Sequence, residues 1–239
     1  FHGLQVTNRN VKRKQGDLNL FEFGTTYHLI NKKYVERQHL ALFVTGQNIS
    51  ENWMEKNRPV HFYDIMSTTK KVLNKFGVTE FDTIDIEDDQ FTYGLSISIN
   101  KRAIGKIGKV NPKISDVKEE VFYADLDWTY LCKHQKTDFK FQPLSKFPEV
   151  RRDLSLVIDK AVNFEDIRKL SLKLERNLFK RINVFDVYEG DKIDEGKKAY
   201  AISFYLQDQT KTLNDKVIDK TMNRLMQGFE RDLGALIRK

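Results

Sequence analysis

Cysteine is almost missing from this chain. Of 239 residues only Cys132 is one, so no disulfide can form within it, and the reading is of a reducing compartment, the cytoplasm by default. Prolines number four, which leaves long stretches free for regular strands and helices. No apolar run approaches the roughly 18 residues of a membrane-spanning helix, so a membrane is not expected as a partner. Phe1-His2-Gly3-Leu4 lacks the charged-then-apolar layout of a secretory signal. There is no initiator Met, and the chain is read as a fragment of a longer protein. His2, His28, His39, His61 and His134 have no metal-ligand spacing, and Cys132 has no partner for one. Neither a P-loop nor a Rossmann fingerprint occurs. No metal and no cofactor are expected in this chain.

What is present suits folded domains. Hydrophobic residues make up 40% and aromatics 12%, enough for one large or two modest cores and too much for disorder. Net charge is +7, with a pI near 9.2, which permits a polyanionic partner. The excess does not localise, because residues 1–147 carry 22 Lys and Arg against 18 Asp and Glu, and the remainder 19 against 16. Charge alone therefore does not choose a nucleic-acid-binding half.

Patterning divides the chain near residue 145, giving units of 1–145 and 146–239 joined by a polar linker over Lys136 to Phe147. In the first unit, Leu18–Gly24, Tyr27–Ile30 and His39–Thr45 read as strands. Pro59 opens a helix whose stripe is Phe62, Ile65, Met66, Thr69, Val72, Leu73 and Phe76, with Gly77 at its end. Phe91–Ile99 and Ala103–Val110 pair, Asn111-Pro112 begins a turn, and Val121–Leu126 is a further strand. This is a mainly antiparallel sheet with one long helix and at least one shorter one.

The second unit has a clearer order. Leu154, Leu156 and Ile158 share one face of a strand, with Ser155 and Val157 on the other. Asn163 and Asp166 start a helix with the stripe Phe164, Ile167, Leu170 and Leu174. Val184–Tyr188 and Ala199–Leu206 are strands around a polar turn. Thr212 and Asp215 cap a long helix with the stripe Ile218, Met222, Leu225, Met226, Phe229 and Leu233. Gly234 ends it before a closing edge strand. The fold class is α+β, and the order β-α-β-β-α-β is the ferredoxin-like arrangement. Right-handed crossovers place both helices on one side of the sheet. The other face is left open.

Alternation assigns that open face. Tyr200, Ile202, Phe204 and Leu206 should meet the helices, so Ala199, Ala201, Ser203 and Tyr205 point outward. Phe185 and Val187 are read as inward, leaving Val184, Asp186 and Tyr188 outward beside Ser155. Small residues around a carboxylate and phenols suit a base platform. Flat rings can approach, Tyr188 can stack, and Asp186 can accept from the N–H donors of a guanine edge. On residues alone the plainer readings lead: a face covered by another domain, or one simply solvated, its aromatics pairing across strands to stabilise the sheet.

Four ordered motifs change that balance. Phe147-Pro148-Glu149-Val150-Arg151-Arg152-Asp153-Leu154-Ser155, Phe185-Asp186-Val187-Tyr188-Glu189-Gly190, Glu195-Gly196-Lys197-Lys198 and Asp208-Gln209-Thr210-Lys211-Thr212-Leu213 together resemble the anticodon-binding domain of bacterial phenylalanyl-tRNA synthetase β subunits. Upstream, Leu20-Phe21-Glu22-Phe23-Gly24, Phe62-Tyr63-Asp64 and Lys106-Ile107-Gly108-Lys109-Val110-Asn111-Pro112 are similar to the catalytic-like module that precedes it. The resemblance implies a class II synthetase-like, non-catalytic sheet in residues 1–145. It implies an enzyme of two α and two β subunits that attaches phenylalanine to its tRNA with ATP and Mg²⁺, the α subunits carrying the active site. It also places Ser155, Asp186, Tyr188 and Ala199 around the first anticodon base, normally guanine. Ala199 departs from the family, standing where that segment often has serine. Phosphate contacts are expected from Arg151, Arg152, Lys197, Lys198 and Lys211.

Catalysis is not expected from this chain alone. A class II site needs an arginine on the ATP α-phosphate and a glycine-rich strand ending in a second arginine. Gly94, Gly105 and Gly108 make no such run, and His61 beside Asp64 reads as a surface pair at a helix start. A ferredoxin-like regulatory or protein-interaction module without RNA binding is the alternative.

Overall fold

The computed structural model describes residues 2–136, 143–191 and 193–238. It separates into two compact units, residues 1–140 and 141–239. Half of the expected linker, residues 137–142, lies outside the described residues.

The first unit runs α1 (His2–Lys12), β1 (Leu18–Ile30), β2 (Lys33–Thr45), α2 (Phe62–Lys75), β3 (Asp82–Ile86), β4 (Phe91–Ile99), β5 (Arg102–Val110), a 3₁₀ turn (Pro112–Ile114), β6 (Val121–Asp127) and α3 (Trp128–Lys133). Its six strands lie in the order β1-β2-β6-β5-β4-β3, with antiparallel pairing throughout. Two hairpins close on two-residue turns with positive φ at both positions, Asn31-Lys32 and Asn100-Lys101. That turn geometry matches the right-handed twist of the flanking strands.

Apolar residues pack on both sides of this sheet. Leu40, Leu42, Val44, Ile107 and Leu126 join Ile65 and Leu73 of α2 in one core. Phe43, Val110, Val117 and Val121 form another with Leu4 and Val11 of α1. Beyond residue 39, where β6 stops pairing with β2, β1 and β2 continue as a ribbon that exposes Tyr27, Leu29 and Tyr34.

Three details differ from the sequence reading. β1 does not stop at Gly24, since Gly24 pairs with His39 and the ladder continues to Ile30. Pro59 does not open α2; it bridges Gln47, while Val60 N–H donates to the Gly46 carbonyl at 2.9 Å, which holds this stretch extended. The helix starts after His61, whose backbone N–H donates to Asp64 at 2.8 Å. Helix α1 and strand β3 have no counterpart in that reading.

The second unit runs β7 (Val150–Asp159), α4 (Phe164–Leu174), β8 (Phe179–Tyr188), β9 (Lys197–Leu206), α5 (Asp215–Leu233) and β10 (Leu236–Arg238). Its strands lie β10-β7-β9-β8, the ferredoxin-like order. At α4, Asp166 accepts the Asn163 backbone N–H at 2.9 Å, as read from the sequence. At α5 the cap moves: Asn214, not Thr212, accepts from Val217 N–H, at 3.0 Å. Leu213 and Ile218 flank that cap inside the same core and act as a hydrophobic staple. Gly234 ends α5 with φ of 61°. Ile167, Ile218, Leu225 and Phe229 meet Leu156, Ile158, Ile202 and Phe204, so both helices cover one face of the sheet.

Candidate nucleic-acid interface

Cross-strand register turns the uncovered face into a grid of rows. The first row is Val157, Ala199 and Tyr188, and the second is Ser155, Ala201 and Asp186. The third is Asp153, Ser203 and Asn183, and the fourth is Arg151, Tyr205 and Arg181. β10 adds Leu236 beside Val157 and Arg238 beside Ser155. Ser155, Asp186, Tyr188 and Ala199 therefore fall in the first two rows, at one end of the face.

The rows differ in what they offer a ligand. Ala199 is 8% exposed and Val157 5%, a floor with no protruding side chain. Tyr188 stands at its edge, 41% exposed. Its ring lies over Gly190, where an added Cβ would sit 2.6 Å from the phenolic oxygen and push the ring aside. The Asp186 carboxylate is exposed, and among the described residues it has no hydrogen bond or ion pair. A carboxylate kept free beside a flat floor and a phenol ring can accept from a base edge while the ring stacks.

Two assignments fail, Phe185 as inward and Val184 as outward. A bulge lies between Val184 and Asp186, so the two-residue period breaks there. Val184, opposite Ile202, packs on the helix side. Phe185 is 52% exposed, and the Arg151 guanidinium lies 5.4 Å over its ring, which puts Phe185 on the open face. Val187 keeps the register of Tyr200 yet is 50% exposed.

The five expected phosphate contacts are not brought together. Arg151 is on the open face and pairs with Asp153 in a two-pronged contact at 2.8 and 2.9 Å. That contact holds the Asp153 carboxyl below the usual range. Arg152 lies opposite Phe204, on the covered side, 3.5 Å from Asp215. Lys198 is 8% exposed and donates to the Lys160 carbonyl at 2.8 Å, so it serves the fold. Lys197 pairs with Asp194 at 3.0 Å, and Lys211 is exposed ahead of α5.

The fourth row holds groups that the sequence did not connect. The Arg181 guanidinium lies 3.6 Å from the centre of the Tyr205 ring, and Arg151 lies 5.9 Å from it. Glu149 receives Lys180 at 3.2 Å and Arg181 at 3.4 Å.

In the first unit, a polar chain crosses three strands. The Asp125 carboxylate is 2.9 Å from His39 Nδ1, and Thr26 Oγ1 is 2.9 Å from His39 Nε2 and from His28. His39 and Asp125 border a surface cavity of about 300 Å³ with Arg37 and Lys106. Their separation of 86 residues hid this contact from any local pattern. His61 and Asp64 are a helix-start pair, with Arg58 gripping Asp64 at 2.8 Å through both nitrogens. Among the described residues no three His, Cys, Asp or Glu side chains gather as metal ligands, and no helix is long and apolar enough to cross a membrane.

Residues 145–238 match the ferredoxin-fold anticodon binding domain, and residues 1–128 match the phenylalanyl tRNA synthetase beta chain CLM domain. Relatives named phenylalanine–tRNA ligase beta subunit include that of Bacteroides fragilis, 37% identical, and that of Bacteroides thetaiotaomicron, 38% identical. Another, from Porphyromonas gingivalis, is 32% identical. Each alignment covers 100% of this chain and 31% of the relative, so the chain spans about a third of their length. Among solved structures, the pyrrolysyl-tRNA synthetase of Desulfitobacterium hafniense superposes with a TM-score of 0.43 at 12% identity, over 55% of this chain and 46% of that one. With one family match taking in more than half of its residues and a second covering most of the rest, the chain belongs to the phenylalanyl-tRNA synthetase beta chain family.

Proposed function

We propose that this chain is the C-terminal part of a phenylalanyl-tRNA synthetase β subunit and binds the anticodon of phenylalanine tRNA on the open face of its second sheet. The observation that carries the reading is the unengaged Asp186 carboxylate, placed in register with Ser155 and Ala201 and next to the row of Tyr188 and Ala199. A guanine stacked on Tyr188 directs its N–H donors toward Asp186, and a carboxylate is the acceptor that prefers them. Ala199 supplies contact area and no hydroxyl. Lys197 and Lys211 are the phosphate contacts this geometry retains, because Arg152 and Lys198 serve the covered side and Arg151 is held by Asp153.

In this proposal residues 1–145 are a non-catalytic module that packs against the α subunit, in an assembly of two α and two β chains in the cytoplasm. ATP and Mg²⁺ then act on α, where phenylalanine is activated and joined to tRNA. The described residues here offer no grouped carboxylates for the metal, and no step is assigned to them.

The test is fluorescence anisotropy of labelled phenylalanine tRNA against the full-length protein assembled with α. Asp186→Ala combined with Tyr188→Ala is expected to weaken binding at least tenfold, since stacking alone is worth about 1–3 kcal/mol per base. Unchanged affinity would sink the readout. Size-exclusion at two salt concentrations separates the alternative: dimerisation through the sheet with no tRNA shift makes this unit a protein-interaction module.

A further inference from the structure

The fourth row of the open face lies four residues along β9 from Ala201, a distance of about 13 Å. A base at Asp186 does not reach Tyr205 in that row, although a run of side chains on the same side links the row back to Phe185, in the bulge beside Asp186. Here Phe185, Arg151, Tyr205 and Arg181 form a run of alternating rings and guanidinium planes, with separations of 5.4, 5.9 and 3.6 Å. The side chains of Arg151 and Arg181 are 49% and 57% exposed.

The charges in this run are nearly balanced. Arg151, Arg181 and Lys180 face Asp153 and Glu149, so the cluster is a poor clamp for a phosphate. What the carboxylates do is orient. Asp153 takes the Nε and Nη2 edge of Arg151, which holds that guanidinium plane in one orientation. A guanidinium pre-set in this way, flanked by rings, is a stacking surface for an unpaired base. The bulge before Asp186 is what lifts Phe185 into the run. One irregularity thus serves both ends of the face.

We infer that Arg151, Phe185, Tyr205 and Arg181 form a second base-binding site, which stacks a neighbouring unpaired base of the same RNA strand. The inference rests on the anticodon reading above for the identity of the strand. It differs in kind: the first site reads a base edge, while the second accepts any base, because every base has a π face.

The test uses the full-length protein assembled with α, and two transcripts: phenylalanine tRNA, and the same tRNA with its first anticodon base replaced. Phe185→Ala and Arg151→Lys are each expected to weaken both tRNAs by the same factor, about 5- to 150-fold. Phe185→Ala leaves the salt dependence of binding unchanged, since no phosphate contact is lost. Full affinity in Arg151→Lys would show that charge suffices and would overturn the stacking role. A lowered melting temperature with unchanged tRNA affinity in Phe185→Ala reduces the run to a cross-strand sheet stabiliser and overturns it as well. Failure of the anticodon reading looks different: Asp186→Ala then leaves the preference between the two transcripts intact, whatever Phe185→Ala does.

Discussion

The six-stranded sheet packs apolar side chains on both of its faces, Leu40 and Leu42 under α2 on one and Phe43 and Val110 near α1 on the other, whereas the four-stranded sheet packs its helices, α4 and α5, against one face alone. The open face of the smaller sheet is not merely polar. It carries a flat end of alanine, serine and valine and a raised end of arginine and aromatic rings. In the first unit β1 and β2 carry a run of exposed large apolar residues, Phe21, Phe23, Tyr27, Leu29, Ile30 and Tyr34. A sheet with both faces filled has its own fold to serve. A sheet with one face swept clean has room for a flat ligand.

If each unit has its own core, a cavity in one should spare the other. Phe204→Ala empties a fully buried site in the second unit and is expected to cost about 3–5 kcal/mol. Trp53 and Trp128 are the only tryptophans and both belong to the first unit. Urea unfolding followed by tryptophan fluorescence should therefore keep its midpoint, while far-UV circular dichroism gains an earlier transition. Movement of both signals together would break the comparison.

A smaller effect probes how closely the strands of the first sheet pack. At Gly108 an added Cβ would sit 2.5 Å from the Tyr93 carbonyl and 2.9 Å from Gly94 Cα, so Gly108→Ala should destabilise by about 1–3 kcal/mol. Gly24 in the same sheet has nothing within 4 Å. Gly24→Ala is expected to stabilise by about 0.5–1 kcal/mol through lower backbone entropy in the unfolded chain. In the second unit, Asn214→Ala should cost about 1 kcal/mol through the lost cap of α5, and Thr212→Ala should cost almost nothing. Denaturant midpoints read all four.

The mildest probe is pH. Arg58, through its two-pronged hydrogen bond, and then the His61 N–H and charge hold the Asp64 carboxyl down at about 2. In the unfolded chain it titrates near the ordinary value of about 3.9. A depressed folded value means the contribution is complete above about pH 4 and is lost as pH falls toward 2. Because Arg58 is largely exposed, Asp64→Asn should cost about 1 kcal/mol or less at neutral pH. The same variant should flatten the loss of first-unit stability across that acid window.

Much of this architecture was legible in the residues. The 3.6-residue stripes of α2, α4 and α5 and the alternation of β7 and β9 gave the element order of the second unit and the side its helices cover. The misses have local causes. In residues 2–12 the inward stripe is Gly3, Leu4, Thr7 and Val11, and only two of these are large apolar side chains, so α1 is faint in the sequence; Gly3 is buried where its missing side chain lets Phe43 in. β3 is a five-residue edge strand with two aspartates. At Asn214 a better cap sat two residues beyond Thr212. The bulge at Phe185 mattered most, because strict alternation turned that ring inward and so hid the raised end of the face. Ser155, Asp186, Tyr188 and Ala199 were read onto the open face from alternation and motif, and the structure places all four on that face, with Asp186 and Tyr188 just past the bulge. Arg181 and Tyr205 meet only through β-sheet register, which no single segment displays.

The central claim is that the flat end of the open face reads the first anticodon base through Asp186. Its most direct test is the ratio of affinities for phenylalanine tRNA and for the transcript with that base replaced, measured for the assembled protein before and after Asp186→Ala. A hydrogen bond to a charged group is worth about 1.5–3 kcal/mol, so the unaltered protein should prefer the first transcript about 10- to 150-fold, and Asp186→Ala should bring the ratio close to one. A preference that survives the substitution unchanged would contradict the account.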